Sequence, residues 1–124
     1  MTIITVGIDL AKNVFSLHGV DTRGRIALRR TVRRDQLVDV VAKLPACVVA
    51  MEACSEAHHW ARQFTALGHT AKLIAPDFVT PYRMSGKRGK NDAADAAAIC
   101  EAATRPSVRK RAQPAVARRV QRRV

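Results

Sequence analysis

The chain opens on a run of β-branched and apolar residues, TIITVGID over positions 2–9, the pattern of a buried strand. AKN then makes a tight turn. In VFSLHGV, Phe15 and Leu17 fall on one face and Ser16 and His18 on the other, as successive side chains of a strand do. DTRG predicts a second turn, with Gly24 placed for a positive φ. RIALRR alternates again, with Ile26 and Leu28 directed inward. Three strands joined by short turns form an antiparallel meander.

The period then changes. Leu37, Val40, Val41 and Leu44 recur at helical spacing and the run stops at Pro45, which marks an amphipathic helix. ACVVAM is a continuous apolar strand that runs into Glu52. Trp60, Phe64 and Leu67 mark a further helix ending at Gly68, with Trp60 and Phe64 in the core and His58 and His59 on the surface. TAKLIA is a fifth strand, stopped by Pro76. SGKRGKN is a polar loop, and DAADAAAICEAA is a helix by propensity, alanine being the best helix former. Strands four and five each follow a helix, so they add in parallel to the meander. The expected fold is α/β: a five-stranded mixed sheet flanked by helices, in which strands one and four can be parallel neighbours.

Charge divides this picture in two. Of 22 Lys and Arg, 14 share residues 1–104 with all 10 Asp and Glu, and the other eight lie in residues 105–124, which carry no acid. A body with net charge +4 therefore precedes a tail of +8, expected to be disordered or helical. Such a balance attracts polyanions, nucleic acid foremost. Three cysteines without a CxxC pair suit reduced thiols in a cytoplasm. Cys54 and His58 can share a helix face but lack the further ligands a zinc site needs. No apolar run reaches the ~20 residues of a membrane span, and the N-terminus lacks the basic start of a secretion signal.

Four acids fall at telling places. Asp9 ends the first strand although Asp is disfavoured in strands, and Glu52 ends the fourth. Asp92 and Asp95 are three apart on a helix and so face the same way. Each has a plain alternative: Asp9 as a turn former, Glu52 as a helix cap, the pair as first-turn acids answering the helix dipole. If all four converge, their mutual repulsion calls for divalent cations, and oxygen-only ligands suit Mg2+ or Mn2+. Lys87, Arg88 and Lys90 precede the acidic pair, where a nucleic-acid backbone would be held. Ser55 and Ser85 have no partner pattern that would make either a nucleophile.

GIDLAKNVFSLHGVD, MEAC and KNDAADAAAI resemble the N-terminal RuvC-like domain of the DEDD transposases of the insertion sequence 110 family, relatives of the pilin-gene inverting recombinases. The resemblance covers roughly residues 3–104 and rests on three motifs in order. It implies a ribonuclease-H-like fold and a catalytic, metal-binding tetrad of Asp9, Glu52, Asp92 and Asp95. It also implies Mg2+-dependent DNA strand cleavage and exchange in transposition, with a structured guide RNA and self-association in full-length members. Lys12 and Lys90 match motif positions. Lys12, Lys87, Arg88, Lys90 and, in the tail, Arg109, Lys110 and Arg111 are the expected nucleic-acid contacts.

Full-length members add a C-terminal domain with a serine nucleophile, and the expectation is that this chain lacks it. The expectation is a RuvC-like domain over 1–104 and a basic tail over 105–124, as a truncated or frame-shifted product or a designed fragment whose activity alone is open. The competing function is a non-catalytic nucleic-acid-binding fragment. A RuvC-like nuclease acting alone ranks lower. The first hairpin also resembles that of actin-like sugar kinases, but its turn, Ala11-Lys12-Asn13, lacks the glycine that cradles phosphate.

Overall fold

All five expected strands form in one sheet. The computed structural model describes residues 2–83, 92–105 and 113–114, with side chains for 2–83 and 94–105. Strands β1 (Ile3–Asp9), β2 (Val14–Asp21) and β3 (Ile26–Arg33) make the antiparallel meander. Its second turn uses Gly24 at φ 79°, a conformation that costs a side-chain-bearing residue strain. Helix α1 (Leu37–Ala42) leads to β4 (Val48–Glu52), and helix α2 (Ser55–Ala66) to β5 (Thr70–Ile74). Both strands join in parallel, β4 on β1 and β5 on β4. The sheet order is β3-β2-β1-β4-β5-β6. The last member, β6 (Gln113–Pro114), pairs antiparallel with β5. It places two tail residues on the sheet edge, which the sequence pattern did not suggest. The rest of the tail beyond Arg105, expected to be disordered or helical, lies outside the described residues.

Pro76 stops β5, but it also starts a helix. Helix α3 (Pro76–Val79) carries it in the first turn, where the missing N–H costs nothing, and a 3-10 turn over Thr80–Tyr82 follows. Another 3-10 turn, Arg34–Gln36, precedes α1. Helix α4 (Asp92–Thr104) then crosses β1, β2 and β4.

The sheet has two unlike faces. On one, α1 and α2 cover Phe15, Leu17, Val6, Ile8, Val49 and Met51, all buried. Trp60 stands edge-on to Phe15 at 5.4 Å and stacks on Phe64 at 6.1 Å, so the helix residues expected in the core are there. His69 is buried as well. Its Nδ1 accepts from the Cys47 N–H at 3.3 Å and its Nε2 donates to the Val41 carbonyl at 2.9 Å, tying the end of α1 to the start of β4. On the other face, α4 lies over small residues. Ala50, Ala98, Ala102 and Ala103 pack there with Ile74, Val79 and Ile99.

Gly7 shows how closely α4 approaches. A Cβ there would sit 2.5 Å from the Ala96 carbonyl oxygen and 2.5 Å from the Cys100 nitrogen. Both are backbone atoms that no side-chain rotation can move. The alanines of α4 therefore serve contact as well as propensity: a larger residue would hold the helix off the strand.

Candidate functional site

Register decides where the acids point. Ile8 lies beside Met51 in the parallel β1–β4 pair, so Asp9 and Glu52, each one residue further on, end their strands level with each other. Ile8 and Met51 belong to the large-residue core. Side chains alternate along a strand, so Asp9 shares the α4 face with Gly7, and Glu52 shares it with Ala50. Asp95 precedes Ala96 on α4, next to the contact with Gly7. Asp92 is the first residue of α4, three before Asp95; its side chain lies outside the described residues. Asp9, Glu52 and Asp95 are all half-buried.

One guanidinium joins two of these acids. Arg83 Nη2 donates to Glu52 Oε1 at 2.9 Å and to Oε2 at 3.0 Å, while its Nε donates to Asp95 Oδ1 at 3.2 Å. The Glu52 hydrogen bonds, then the two nearby carboxylates, raise the pKa of Arg83 further, so it stays charged at any pH the fold survives. A strand end and a helix far apart in sequence thus meet at one positive charge. Sequence reasoning missed Arg83. The available signal was an arginine following TPY, just before the glycine-bearing loop.

Lys12 is exposed, and its turn is pinned from below. Arg34 donates from its backbone N–H to the Asn13 carbonyl at 3.0 Å and from Nη1 to the Lys12 carbonyl at 3.2 Å. The same side chain makes a two-pronged pair with Glu56, at 3.2 and 2.9 Å, and lies over the Phe15 and Trp60 rings at 5.6 Å. The Arg34 hydrogen bonds hold the Glu56 carboxyl below its ordinary range. Hence the backbone of the turn after Asp9 is fixed to α2, although the turn lies at the surface.

The other expected cations, Lys87, Arg88, Lys90, Arg109, Lys110 and Arg111, lie outside the described residues. A second basic surface, not singled out from sequence, lies on the edge strand. Arg23, Arg25, Arg29, Arg30 and Arg33 are exposed on β3 and the turn before it. Pairing carries the level of Asp9 across the sheet, Asp9 opposite Ser16 and Ser16 opposite Thr31. Arg29 and Arg33, two residues either side of Thr31, share that face with the acids about 10 Å away at the usual strand spacing.

Among the described residues no group of three or more His, Cys, Asp and Glu side chains could hold a metal ion. Cys54 and His58 are both exposed on α2 and its approach. The acids fit a hard cation in kind. Glu52 and Asp95 offer only carboxylate oxygens and already converge on one cationic group, and Asp9 stands on the same face. This donor set suits Mg2+ or Mn2+ and not zinc.

A cleft of about 450 Å3 lies between α4 and the β1–β2 pair, lined by residues that include Thr5, His18, Asp21, Cys100 and Glu101. Asp9, Glu52 and Asp95 are not among its described lining residues. Burial, then Arg29, holds His18 below its ordinary pKa, and burial pushes the Cys100 thiol up to about 12. The Cys47 thiol on the opposite face rises to about 11 for the same reason, so neither is a ready nucleophile.

Comparison with known proteins shows a family and a fold. The family profile of DEDD transposases of the insertion sequence 110 type, described as "Transposase", matches residues 6–118. A Pseudomonas aeruginosa protein named "Probable family 20 transposase" is 54% identical over 109 residues, covering 88% of this chain and 31% of the relative. The transposase for insertion sequence element IS1328 of Yersinia enterocolitica is 48% identical over 103 residues, covering 83% of this chain and 30% of its own length. The chain spans 27–31% of the length of the curated relatives it matches. Among solved structures, Thermus thermophilus RuvC superposes with a TM-score of 0.64 at 15% identity, covering 89% of this chain and 98% of RuvC. The same protein in complex with a Holliday junction substrate gives 0.56 at 13% identity, covering 92% and 99%. The fold is therefore that of RuvC.

Proposed function

The chain belongs to the DEDD transposase family of insertion sequence 110, and from that membership we propose that it is the N-terminal RuvC-like part of a transposase that cuts and exchanges DNA strands with a divalent metal. Residues 1–104 form the metal-binding body and residues 105–124 a basic tail. The observation that carries this reading is the convergence of Glu52 and Asp95 on a single cationic group, beside the strand end that bears Asp9. Asp9, Glu52, Asp92 and Asp95 are the proposed ligands of Mg2+ or Mn2+. Bound there, the metal would supply charge neutralisation at a phosphodiester and activation of the attacking oxygen.

The chain's own groups do the rest. Asp9, on a strand in mid-sheet, is the most rigidly mounted ligand. Lys12, on its pinned turn, holds a phosphate beside it. Arg29 and Arg33 extend that contact across the acid face, with Lys87, Arg88, Lys90, Arg109, Lys110 and Arg111 as further backbone contacts. Such contacts set the position of DNA and not its sequence. The junction-bound RuvC relative makes branched DNA a sensible first substrate. A guide RNA, self-association of the whole transposase and a bacterial cytoplasmic location belong to the same proposal.

The test is nicking of a supercoiled plasmid and of a four-way junction by the purified chain in Mg2+, in Mn2+ and in chelator. Metal-dependent nicking that Asp9→Asn abolishes is expected. Metal-independent binding without nicking, in the chain and in the full-length transposase alike, would sink the catalytic reading. It would favour the alternative of a nucleic-acid-binding fragment, which the exposed arginines of β3 would serve.

A further inference from the structure

We propose that Arg83 is the resident counter-cation of the acidic site, seated on Glu52 and Asp95 when no metal is bound and displaced by the divalent ion. The inference rests on the reading of the acids as metal ligands and adds a competitor from within the chain.

The seat is built, and its backbone is fixed. Arg83 follows the 3-10 turn directly, in extended conformation at φ −74° and ψ 143°. Its N–H donates to the Thr80 carbonyl at 3.1 Å, and Thr80 Oγ1 donates to the Pro76 carbonyl at 3.0 Å. Val79 is buried in the small-residue core, with Tyr82 packed against it. Arg105, at the far end of α4, stands 5.5 Å over the Tyr82 ring. The turn therefore delivers the Arg83 side chain to one place.

What it does there follows from its contacts. Both Glu52 oxygens and one Asp95 oxygen accept from the same guanidinium. Charge-assisted hydrogen bonds of this kind are among the stronger polar contacts. The Arg83, Glu52 and Asp95 side chains are 28%, 27% and 25% exposed, so solvent only partly screens them. In the metal-free protein Arg83 offsets the repulsion between the two carboxylates and holds the end of β4 to the first turns of α4. A divalent ion at these oxygens would face the guanidinium at short range, and two cations cannot share that space at low cost. Metal binding must therefore release the Glu52 and Asp95 contacts. Arg83 is in this sense a positioning residue: it keeps the ligands assembled and sets the metal concentration at which the site fills.

The experiment titrates Mn2+ into the full chain, reading free Mn2+ by electron paramagnetic resonance, with thermal melting in parallel. Arg83→Gln should melt lower without metal and bind Mn2+ about tenfold more tightly, within the usual range of coupling between two bound groups. Arg83→Lys, which keeps the charge and loses the fork, should stay near the parent affinity. In the parent itself, Mg2+ should move the Arg83 Nε–H resonance to the position of a free guanidinium, with the midpoint of metal binding. That reading needs no variant to fold. Equal or weaker Mn2+ binding by Arg83→Gln, or an Arg83 resonance indifferent to Mg2+ that binds, overturns the competitor alone. Absence of Mn2+ binding by parent and variants overturns it together with the metal reading beneath it.

Discussion

The two faces of the sheet are built on opposite principles. Between the sheet and α1 and α2 pack Phe15, Leu17 and Met51 of the strands with Trp60 and Phe64 of α2, large side chains that keep the helices at ordinary distance and bury much apolar area. Between the sheet and α4, Gly7 and Ala50 of the strands meet a row of alanines on α4, which bury less and let backbone meet backbone. Apolar burial stabilises in proportion to area, about 25 cal/mol per Å2, so the first face contributes most of the stability. The second fixes a distance. Asp95 meets Arg83, and through it Glu52, because Gly7 admits Ala96 and Cys100 to contact. Stability and the geometry of the acids are thus assigned to different sides of one sheet, and each should be breakable with limited effect on the other.

The largest effect should come from the bulky face. Phe64→Ala removes a fully buried ring and should cost about 3–5 kcal/mol in urea unfolding. The fraction that remains folded should bind Mn2+ as the parent does. An equal loss of metal affinity would show that the faces are not independent.

Gly7→Ala attacks the other side. The added methyl meets backbone at 2.5 Å, and overpacking of this kind costs about 1–3 kcal/mol. The loss of stability should be smaller than for Phe64→Ala, but the loss of metal affinity far larger, because α4 must lift and carry Asp95 with it. Parent-like Mn2+ binding by Gly7→Ala would remove the close approach from the account.

Asp9→Asn should change the metal-free melting temperature little or raise it, since it deletes one of several clustered negative charges. The upward shift that Mg2+ gives the parent by binding only the folded state should vanish. A variant still as metal-responsive as the parent would argue against Asp9 as a ligand.

The smallest effects concern nucleic acid. Each neutralised phosphate adds about 0.9 to the slope of log affinity against log salt on duplex DNA. Deleting residues 105–124 should flatten that slope by several units. Replacing Arg29 and Arg33 together should flatten it by at most about two. Equal slopes for the parent and the deletion would assign recognition to β3 and Lys12.

Much of the fold was legible in the sequence because its signals are local. Alternation in VFSLHGV and the helical spacing of Leu37, Val40, Val41 and Leu44 report which face of an element is buried, and Phe15, Leu17, Leu37 and Val41 are buried. In RIALRR the expectation failed at Ile26, which is 50% exposed at the start of the edge strand, while Leu28 is half-buried. The parallel neighbourhood of β1 and β4 followed from counting crossovers. Two short elements were missed for a physical reason. Pro76 is a stop signal for a strand and a start signal for a helix, and four residues of α3 are too few to show a period. β6 was illegible because two residues paired to a sheet edge carry no pattern.

The site was legible in part. Asp9 and Glu52 betrayed themselves as acids ending apolar strands, and the register sets them level. Arg83 gave no such signal, because an arginine in a polar stretch is common. Only the fold brings it to Glu52 and Asp95. The arginines of β3 were hidden likewise: only the pairing of β1, β2 and β3 shows which of them share the acid face. The alanines of α4 were read as helix formers. That they also set a distance could not be seen until Gly7 was found beneath them.

The central claim is that Asp9, Glu52 and the first turn of α4 form one divalent-metal site. Its most direct test is a crystal structure of the chain grown in Mn2+, with anomalous data collected at the manganese edge. The account predicts an anomalous peak within bonding distance of Asp9, Glu52 and an α4 aspartate, with Arg83 withdrawn from Glu52. A map without anomalous density there, with Asp9 turned to separate solvent and Arg83 still astride Glu52 and Asp95, would contradict it.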